Sequence, residues 1–167
     1  AIEIAPGYRM LFNQKTDGNR FDMIMCRRNG DAQMDGNGVL LFSLNEVADN
    51  IKAFRKAYGL TEDDIDYYVF HQAQKIILQG IASECQIPWE KVLNSYEKYG
   101  NTSSASVPIS ICANESKLKE KPQVRLLMSG FGIGLSWGIV YLNVDTENIL
   151  PVFETDICYP DKAEFRL

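Results

Sequence analysis

Helical and strand-like apolar patterns alternate along the chain from residue 39 to residue 144. Val47, Ile51, Phe54 and Tyr58 recur at helical spacing, and Gly59 is a suitable C-terminal cap. The preceding residues 39–44 are apolar on every side, so we expect the first part of this helix to be buried. Residues 61–64 suit a capped turn, and the apolar run at residues 65–70 indicates a buried strand.

More helices and two strands complete this alternation. We predict a helix over residues 74–85, a short helix beginning at Pro88, a central helix over residues 103–119, and strands over residues 124–129 and 135–144. Proline favours the first helical position, and the small side chains of residues 103–119 suit a helix that packs closely between sheets. Helices that alternate with strands, ending in a strand pair, predict an α/β domain in which a mixed sheet is layered with helices.

Length and charge exclude several classes of protein. A chain of 167 residues, 46% of them hydrophobic, can build one core but not two ordinary domains. It has 17 Lys and Arg against 22 Asp and Glu, a net charge of −5, and no basic run that would track phosphates. No apolar stretch approaches the ~20 residues that cross a bilayer, and the first residues lack a signal-peptide pattern. We therefore expect a cytoplasmic protein without nucleic-acid or membrane partners.

The sequence predicts one domain over residues 1–144 and a tail over residues 145–167 that lies across the surface. Residues 1–34 combine short apolar pieces with turn residues, which indicates a variable hairpin or an edge insertion. The four cysteines have no metal-ligand spacing and no regular framework; they are Cys26, Cys85, Cys112 and Cys158. We predict buried free thiols, no metal site and no cofactor.

Three segments contain the side chains that indicate chemistry. His71, the only histidine, follows the predicted strand and begins the segment HQAQ at residues 71–74. The loop GNTSSAS occupies residues 100–106, and the glycine turn FGIGLSWG occupies residues 131–138. Taken singly, they could be a core histidine at a strand end, a helix-capping loop around Asn101, and a tight hairpin. The turn is not a dinucleotide-binding loop, because it lacks the GxGxxG pattern and a strand follows it.

Together, the order and spacing of these segments over residues 34–144 resemble the C-terminal half of 3-oxoacyl-(acyl-carrier-protein) synthase III, a family of thiolase-fold condensing enzymes. The resemblance implies a thiolase-like half-domain from an acyltransferase that joins an acyl thioester to malonyl-acyl-carrier protein by decarboxylative Claisen condensation, in fatty-acid-type biosynthesis. It implies that His71 and Asn101 donate hydrogen bonds to the thioester oxygen. The implied partners are acyl-carrier protein, acyl-CoA or acyl-carrier-protein thioesters, the missing N-terminal half and a second copy in a homodimer.

The chain departs from the family pattern in two segments. Gln74 stands where the family commonly has asparagine, and Ile76 stands where an arginine contacts the carrier protein. Gln72, Gln74, Lys75 and Ile76 form the expected substrate- and carrier-binding segment, with Lys75 as a shifted cation. Gln72 and Gln74 could equally be ordinary residues at the start of a helix.

The glycine turn is the second departure. Gly132, Ile133 and Gly134 would supply the turn near the acyl pocket, with the Ile133 N–H in a second oxyanion hole. The family commonly has glycine at the position of Ile133, and a β-branched residue disfavours a positive φ. We therefore expect the turn, and the pocket shape that depends on it, to differ from the family's.

No cysteine of the chain has a context that resembles the family's acylated nucleophile, which belongs to the N-terminal half. We therefore expect the chain alone to be inactive. Two alternatives stay open: another thiolase-superfamily condensation, of polyketide or 3-hydroxy-3-methylglutaryl type, and a non-catalytic subunit that binds acyl chains or completes a complex. Retention of both His71 and Asn101 favours an enzyme, since a structural subunit needs neither donor.

Overall fold

A computed structural model describes residues 10–26, 30 and 32–156 of the chain. The strands are β1 (Leu11–Thr16), β2 (Ile24–Cys26), β3 (Ala32–Met34), β4 (Tyr67–Phe70), β5 (Val92–Leu93), β6 (Gln123–Gly132) and β7 (Ser136–Asp145). The helices are α1 (Gly36–Phe42), α2 (Ala48–Tyr58), α3 (Lys75–Glu84), α4 (Tyr96–Tyr99), α5 (Ser106–Ala113) and α6 (Glu115–Leu118).

The main sheet has the strand order β1-β7-β6-β4-β5. β4 is parallel to both β5 and β6, whereas β6, β7 and β1 are antiparallel neighbours. A mixed sheet of this kind confirms the predicted fold class. Because β4, β5 and β6 are parallel, the loops that follow them leave from the same edge of the sheet.

Helices cover the two faces of the sheet, and the side chains of β4 show how. Tyr68 and Phe70 point to one face, into a core shared with α1, α2 and α3, while Val69 points to the other face and packs with Leu118 of α6. This alternation follows from the two-residue period of a strand. Since β4 is buried on both faces, its apolar run is continuous.

The predicted helix at residues 39–58 is present, but a π-helical turn at Ser43–Val47 joins α1 to α2. Gly59 ends α2 with φ 64°, a left-handed conformation that costs glycine little. The expectation that the first part is buried on every side is wrong, because Leu41 is 60% exposed.

Residues 88–119 differ from the prediction. The helix expected from Pro88 is a single 3₁₀ turn, followed by the short strand β5. The helix expected over residues 103–119 is divided into a 3₁₀ turn, α5 and α6. Asn114 lies between α5 and α6, and its Nδ2 donates to the carbonyls of Asn94 (3.1 Å) and Ser110 (2.8 Å). Such side-chain bonds to the backbone compete with helical pairing.

The N-terminal region contributes to the main sheet as well as forming a hairpin. β1 is an edge strand paired to β7, and only β2 and β3 form a separate hairpin. Asn13 of β1 exchanges two amide hydrogen bonds, of 3.0 and 3.1 Å, with Asn50 of α2, so this strand is fixed to the helical layer. Residues 11–16 are therefore part of the sheet and not of a separable insertion.

The cysteines follow the prediction only in part. Cys85 is buried and free, as predicted, whereas Cys26 on the β2–β3 hairpin is exposed and Cys112 is half-buried. Burial was wrongly predicted for Cys26: Ile24 at the start of β2 packs against the core, whereas Cys26 at the end of this strand is exposed. Cys158 and the end of the predicted tail lie outside the described residues.

Candidate active site

His71 lies where β4 ends, at the edge of the sheet that β5 and β6 also reach. Its backbone N–H donates to the carbonyl of Ser129 in β6 (2.9 Å), which continues the parallel pairing of β4 and β6 past the last residue of the strand. The sequence therefore places the only imidazole of the chain at a sheet edge where loops from three parallel strands meet.

The environment of His71 favours the neutral ring. The side chain is half-buried, and its ring meets that of Phe131 edge-on, with centroids 5.3 Å apart. Desolvation lowers the pKa of His71 below its ordinary value, while a hydrogen bond with the backbone of Ser103 acts in the opposite direction. A histidine with a lowered pKa is neutral at pH 7, so its ring carries one N–H and one acceptor nitrogen.

Asn101 lies on the exposed loop that follows α4. Its Oδ1 accepts a hydrogen bond from the backbone N–H of Ser103 (2.9 Å). This bond occupies the amide oxygen. The Nδ2 group carries the N–H donors of the amide and can donate to a ligand. The backbone of Ser103 also raises the pKa of His71, so Ser103 lies near both predicted catalytic side chains.

Ser103 adopts a left-handed backbone conformation, with φ 53°. This conformation is uncommon for a residue other than glycine. It makes the turn in which Asn101 binds the N–H two residues further along the chain. Sequence reasoning treated this loop as one motif and did not single out Ser103, because nothing in its residue type signals a positive φ.

The structure corrects the prediction for Gln72, which we expected to bind substrate or carrier. Its side chain is fully buried. Nε2 donates to the carbonyl of Phe70 (2.8 Å), and Oε1 accepts from the N–H groups of Ser95 (2.8 Å) and Tyr96 (3.2 Å). A buried amide whose two ends are both engaged inside the protein cannot contact a carrier protein on the surface.

The other residues of the predicted carrier segment are exposed. Gln74 precedes α3, whose first two residues are Lys75 and Ile76, and the Ile76 side chain is 62% exposed. The Lys75 Nζ lies 3.9 Å from Oε1 of Glu97. Since both of these side chains are mostly exposed, the pair is weak and solvent competes with it. Their placement fits the predicted docking role, which stays a prediction.

The glycine turn at residues 132–134 joins β6 to β7. Gly134 has φ 144°, and a Cβ atom there would lie 2.7 Å from the backbone nitrogen of Ser136, so this position requires glycine. Among the described residues other than glycine, only Gln86 and Ser103 have a positive φ. Ile133 therefore keeps an ordinary backbone, and its side chain, 66% exposed, projects from the turn. The expected difference between this turn and the family's turn stays a prediction.

An open apolar groove of about 620 Å³ runs beside this turn, across β1, β6 and β7. Its lining includes Phe12, Met128, Ile133 and Val140. Phe12 is 62% exposed, although it lies on a strand of the main sheet. The groove begins next to the glycine turn, so an apolar surface adjoins the candidate site.

The described residues contain no helix that is long and apolar enough to cross a membrane. Nor do they bring three His, Cys, Asp or Glu side chains together as a candidate metal site. The candidate site contains the imidazole of His71, the amide of Asn101 and the backbone of the glycine turn.

Similarity to known proteins extends well beyond the three motifs. The beta-ketoacyl-[acyl-carrier-protein] synthase III of Streptococcus pyogenes serotype M5 (strain Manfredo) is 40% identical over 118 residues, which cover 67% of this chain and 35% of that protein. The 3-oxoacyl-(acyl-carrier protein) synthase of Burkholderia xenovorans LB400 superposes with a TM-score of 0.81 at 30% identity, over 87% of this chain and 47% of that one. The synthase III of Pseudomonas aeruginosa PAO1 gives a TM-score of 0.72 at 27% identity, over 86% and 44% of the two chains.

The chain thus spans about a third of the length of the curated relative and under half of the two solved structures. The profile of the family described as 3-oxoacyl-[acyl-carrier-protein (ACP)] synthase III C terminal matches residues 55–144, which include all three motifs. This match covers more than half of the chain, and the chain shares a thiolase-like fold with solved members of the family. The chain therefore belongs to the C-terminal family of 3-oxoacyl-(acyl-carrier-protein) synthase III.

Proposed function

We propose that this chain is the C-terminal half of a cytoplasmic, homodimeric ketosynthase III-type acyltransferase, which condenses an acyl thioester with malonyl-acyl-carrier protein in fatty-acid-type biosynthesis. The observation that carries the proposal is the placement of Ser103, whose N–H donates to the amide oxygen of Asn101 and whose backbone also influences the pKa of the neutral imidazole of His71. This arrangement supports the proposal that His71 and Asn101 are two uncharged hydrogen-bond donors near one another at the edge of the sheet.

The proposed chemistry needs such donors. Decarboxylation breaks the bond between the malonyl carboxylate and its α-carbon, and the electron pair moves into an enolate whose negative charge lies on the thioester oxygen. Donors that already point at this oxygen stabilise the charge without reorganisation, and loss of one such donor typically costs ~10²-fold or more in rate. The α-carbon then attacks the acyl group, and a thiolate leaves.

A cysteine nucleophile from the N-terminal half completes the proposed mechanism. Cys26 lies on the exposed hairpin, and burial raises the pKa of the Cys85 thiol to about 11. A thiol of this kind is a poor nucleophile because its thiolate form is scarce. Cys112 lies within α5, half-buried. These placements support our expectation that the chain alone does not turn over.

We test the proposal by joining the chain to the N-terminal half of the Streptococcus pyogenes relative, and we call this protein the assembled enzyme. His71→Ala and Asn101→Ala should each slow malonyl decarboxylation by about 10²-fold. Acyl transfer onto the cysteine should change much less, because no enolate forms in that step. Radiolabelled CO₂ release and acyl-enzyme mass measure the two half-reactions separately.

Asn148→Ala is the matched control, because Asn148 is an exposed asparagine in a turn outside the site. It should leave both half-reactions unchanged. Equal loss of the two half-reactions in His71→Ala and Asn101→Ala would refute the enolate role of these residues. An assembled enzyme that binds acyl thioesters but performs neither half-reaction would instead support the non-catalytic acyl-binding subunit.

A further inference from the structure

The buried amide of Gln72 joins the two loops that hold the candidate catalytic residues. Gln72 follows His71 directly, and its Nε2 donates to the carbonyl of Phe70, the last residue of β4. Its Oε1 accepts from the N–H groups of Ser95 and Tyr96, which begin α4. One side chain therefore bonds to the end of the strand that precedes His71 and to the start of the helix that leads to Asn101.

The path from Gln72 to Asn101 is short and hydrogen-bonded throughout. α4 is a single turn, closed by a bond from the N–H of Gly100 to the carbonyl of Tyr96 (2.9 Å). Asn101 is the next residue. A shift of the first turn of α4 is therefore transmitted to Asn101 through one helical turn. Misplacement of a catalytic group by about 1 Å can cost ~10²-fold in rate.

Two further hydrogen bonds fix α4 to a second part of the fold. The hydroxyl groups of Ser95 and Ser110 lie 2.7 Å apart, and the Ser110 hydroxyl donates to the carbonyl of Ser106. These bonds tie the start of α4 to α5 and not to β4. Gln72 thus supplies a fully buried side-chain connection between the His71 loop and the start of the helix that leads to Asn101, whereas the Lys75–Glu97 pair between the same two segments is exposed.

We propose that Gln72 is a positioning residue, which sets the placement of the Asn101 amide relative to the His71 imidazole and thereby the rate of malonyl decarboxylation. The inference rests on the proposed function. It replaces the expected surface role of Gln72 with a buried one that acts through Asn101. Its bonding pattern requires one donor and one acceptor at the end of a side chain of this length, which glutamine provides and an apolar residue does not.

Two substitutions in the assembled enzyme separate this role from simple support of the fold. Gln72→Met keeps the length of the side chain but leaves the N–H groups of Ser95 and Tyr96 without a partner. Gln72→Glu keeps the shape, and only its protonated form can donate to Phe70 while accepting from Ser95 and Tyr96. Ionisation turns that donor into a negatively charged oxygen beside the Phe70 carbonyl. Gln79→Met, at an exposed position of α3, is the control for loss of an amide.

In Gln72→Met we expect the kcat for malonyl decarboxylation to fall by about tenfold or more, with the KM for malonyl-carrier protein and the rate of acyl transfer nearly unchanged. In Gln72→Glu the decarboxylation rate, relative to the unsubstituted enzyme, should fall as the pH rises through the elevated pKa of a buried carboxyl. Gln79→Met should match the unsubstituted enzyme. Equal losses in both half-reactions, or an unchanged decarboxylation rate in Gln72→Met, would overturn the positioning role.

Hydrogen exchange in the 167-residue chain tests the connection without an activity assay. Gln72→Met should speed exchange at the backbone amides of Ser95 and Tyr96, because each loses an acceptor, while Gln79→Met should not. Unchanged exchange in Gln72→Met would contradict the proposed connection even if the assembled enzyme is active. Faster exchange combined with an assembled enzyme that performs neither half-reaction would leave the connection standing, but it would overturn both the proposed function and the catalytic consequence of Gln72.

Discussion

Burial decides what each side chain of the segment 71–76 can do. His71 is half-buried, so it is desolvated enough to stay neutral and yet can meet a ligand. Gln72 is fully buried and serves the protein's own backbone. Lys75 and Ile76 are exposed at the start of α3, where they can meet another protein. One short segment thus changes from half-buried to fully buried to exposed as it turns from a strand into a helix, and the roles proposed for its residues change with it.

The sequence was sufficient to locate His71 and Asn101 but not to assign Gln72. His71 could be found because it is the sole histidine and follows an apolar run. The hydrogen-bond partners of Gln72 include the backbone N–H of Ser95, 23 residues further along the chain. No local sequence pattern reveals a contact at that separation. The positive φ of Ser103 escaped prediction for a related reason, since the surrounding fold imposes it.

Charge reversal at Lys75 tests carrier docking. Lys75→Glu in the assembled enzyme should weaken carrier-dependent turnover by several-fold and flatten its dependence on salt, because exposed charges steer association and are screened over ~10 Å at 0.1 M ionic strength. It also places a second carboxylate near Glu97. Turnover with a small carrier-free thioester should be nearly unchanged. The effect is measured from initial rates at 50 and 300 mM salt, about half and about three times that ionic strength.

Lys56→Glu is the control for the same change of net charge, on the exposed side of α2. It should alter neither substrate's turnover. Losses of equal size with carrier-bound and carrier-free thioesters in Lys75→Glu would mean that Lys75 supports the fold or the pocket. No loss with either substrate would place the docking surface on another part of the enzyme.

At the scale of elements, the apolar patterns of the sequence predicted the helices and strands whose formation depends on neighbouring residues. The helix ending at Gly59, the strand that precedes His71 and the β6–β7 pair are all long or strongly periodic, and all are present. β5 was missed because it has two residues, and the pairing of β1 with β7 was missed because its partner lies more than 100 residues away. Register across such distances depends on packing, which periodicity alone does not encode.

The parallel pairing of β4 with β6 is reinforced by an ionic cluster at its start. Oδ2 of Asp66 accepts from the backbone N–H (2.8 Å) and the Nε (3.0 Å) of Arg125, and its Oδ1 accepts from Nζ of Lys121 (2.7 Å). Desolvation alone would raise the pKa of Asp66, but the hydrogen bonds from Arg125 and Lys121 outweigh it and hold the pKa well below the ordinary value. The ionised carboxylate therefore stabilises the folded state.

Asp66→Asn should lower the free energy of unfolding of the chain by about 1–3 kcal/mol at pH 7, because a charged acceptor of several hydrogen bonds is lost. A lowered folded-state pKa contributes stability that is present above the unfolded value, near 4, and is lost as the pH falls towards the folded value. The difference between Asp66→Asn and the unsubstituted chain should therefore shrink as the pH falls below about 4, as measured by urea denaturation across pH.

Asp49→Asn is the matched control, since Asp49 is 72% exposed and, within the described part of the chain, forms its ion pair with Lys52 on the surface of α2. Exposed pairs of this kind contribute about 0–1 kcal/mol. If the two variants were equally stable at pH 7, or if the Asp66→Asn difference persisted unchanged at low pH, the ionised cluster would not be the source of the stability.

At the scale of the whole molecule, the two faces of the sheet are covered unequally. α1, α2 and α3 cover one face broadly, whereas on the other face an apolar groove is open across β1, β6 and β7. The sequence alone does not show this inequality, because Met128 and Val140 have the residue types of ordinary core positions. The resemblance offers a reason for it, since the two halves of a thiolase fold share a central helical layer. We infer that the N-terminal half of the longer enzyme covers this groove.

The 167-residue chain on its own should therefore self-associate. Its groove exposes large apolar side chains, among them Phe12 (62%) and Ile133 (66%), and contiguous patches of this kind bind other apolar surfaces. Sedimentation across a concentration series should give a rising average mass, with binding of a hydrophobic dye. Phe12→Ser should weaken association more than Phe21→Ser, whose side chain is as exposed (61%) but is not part of the groove. An ideal monomer that binds no dye would show that the groove does not need a covering partner.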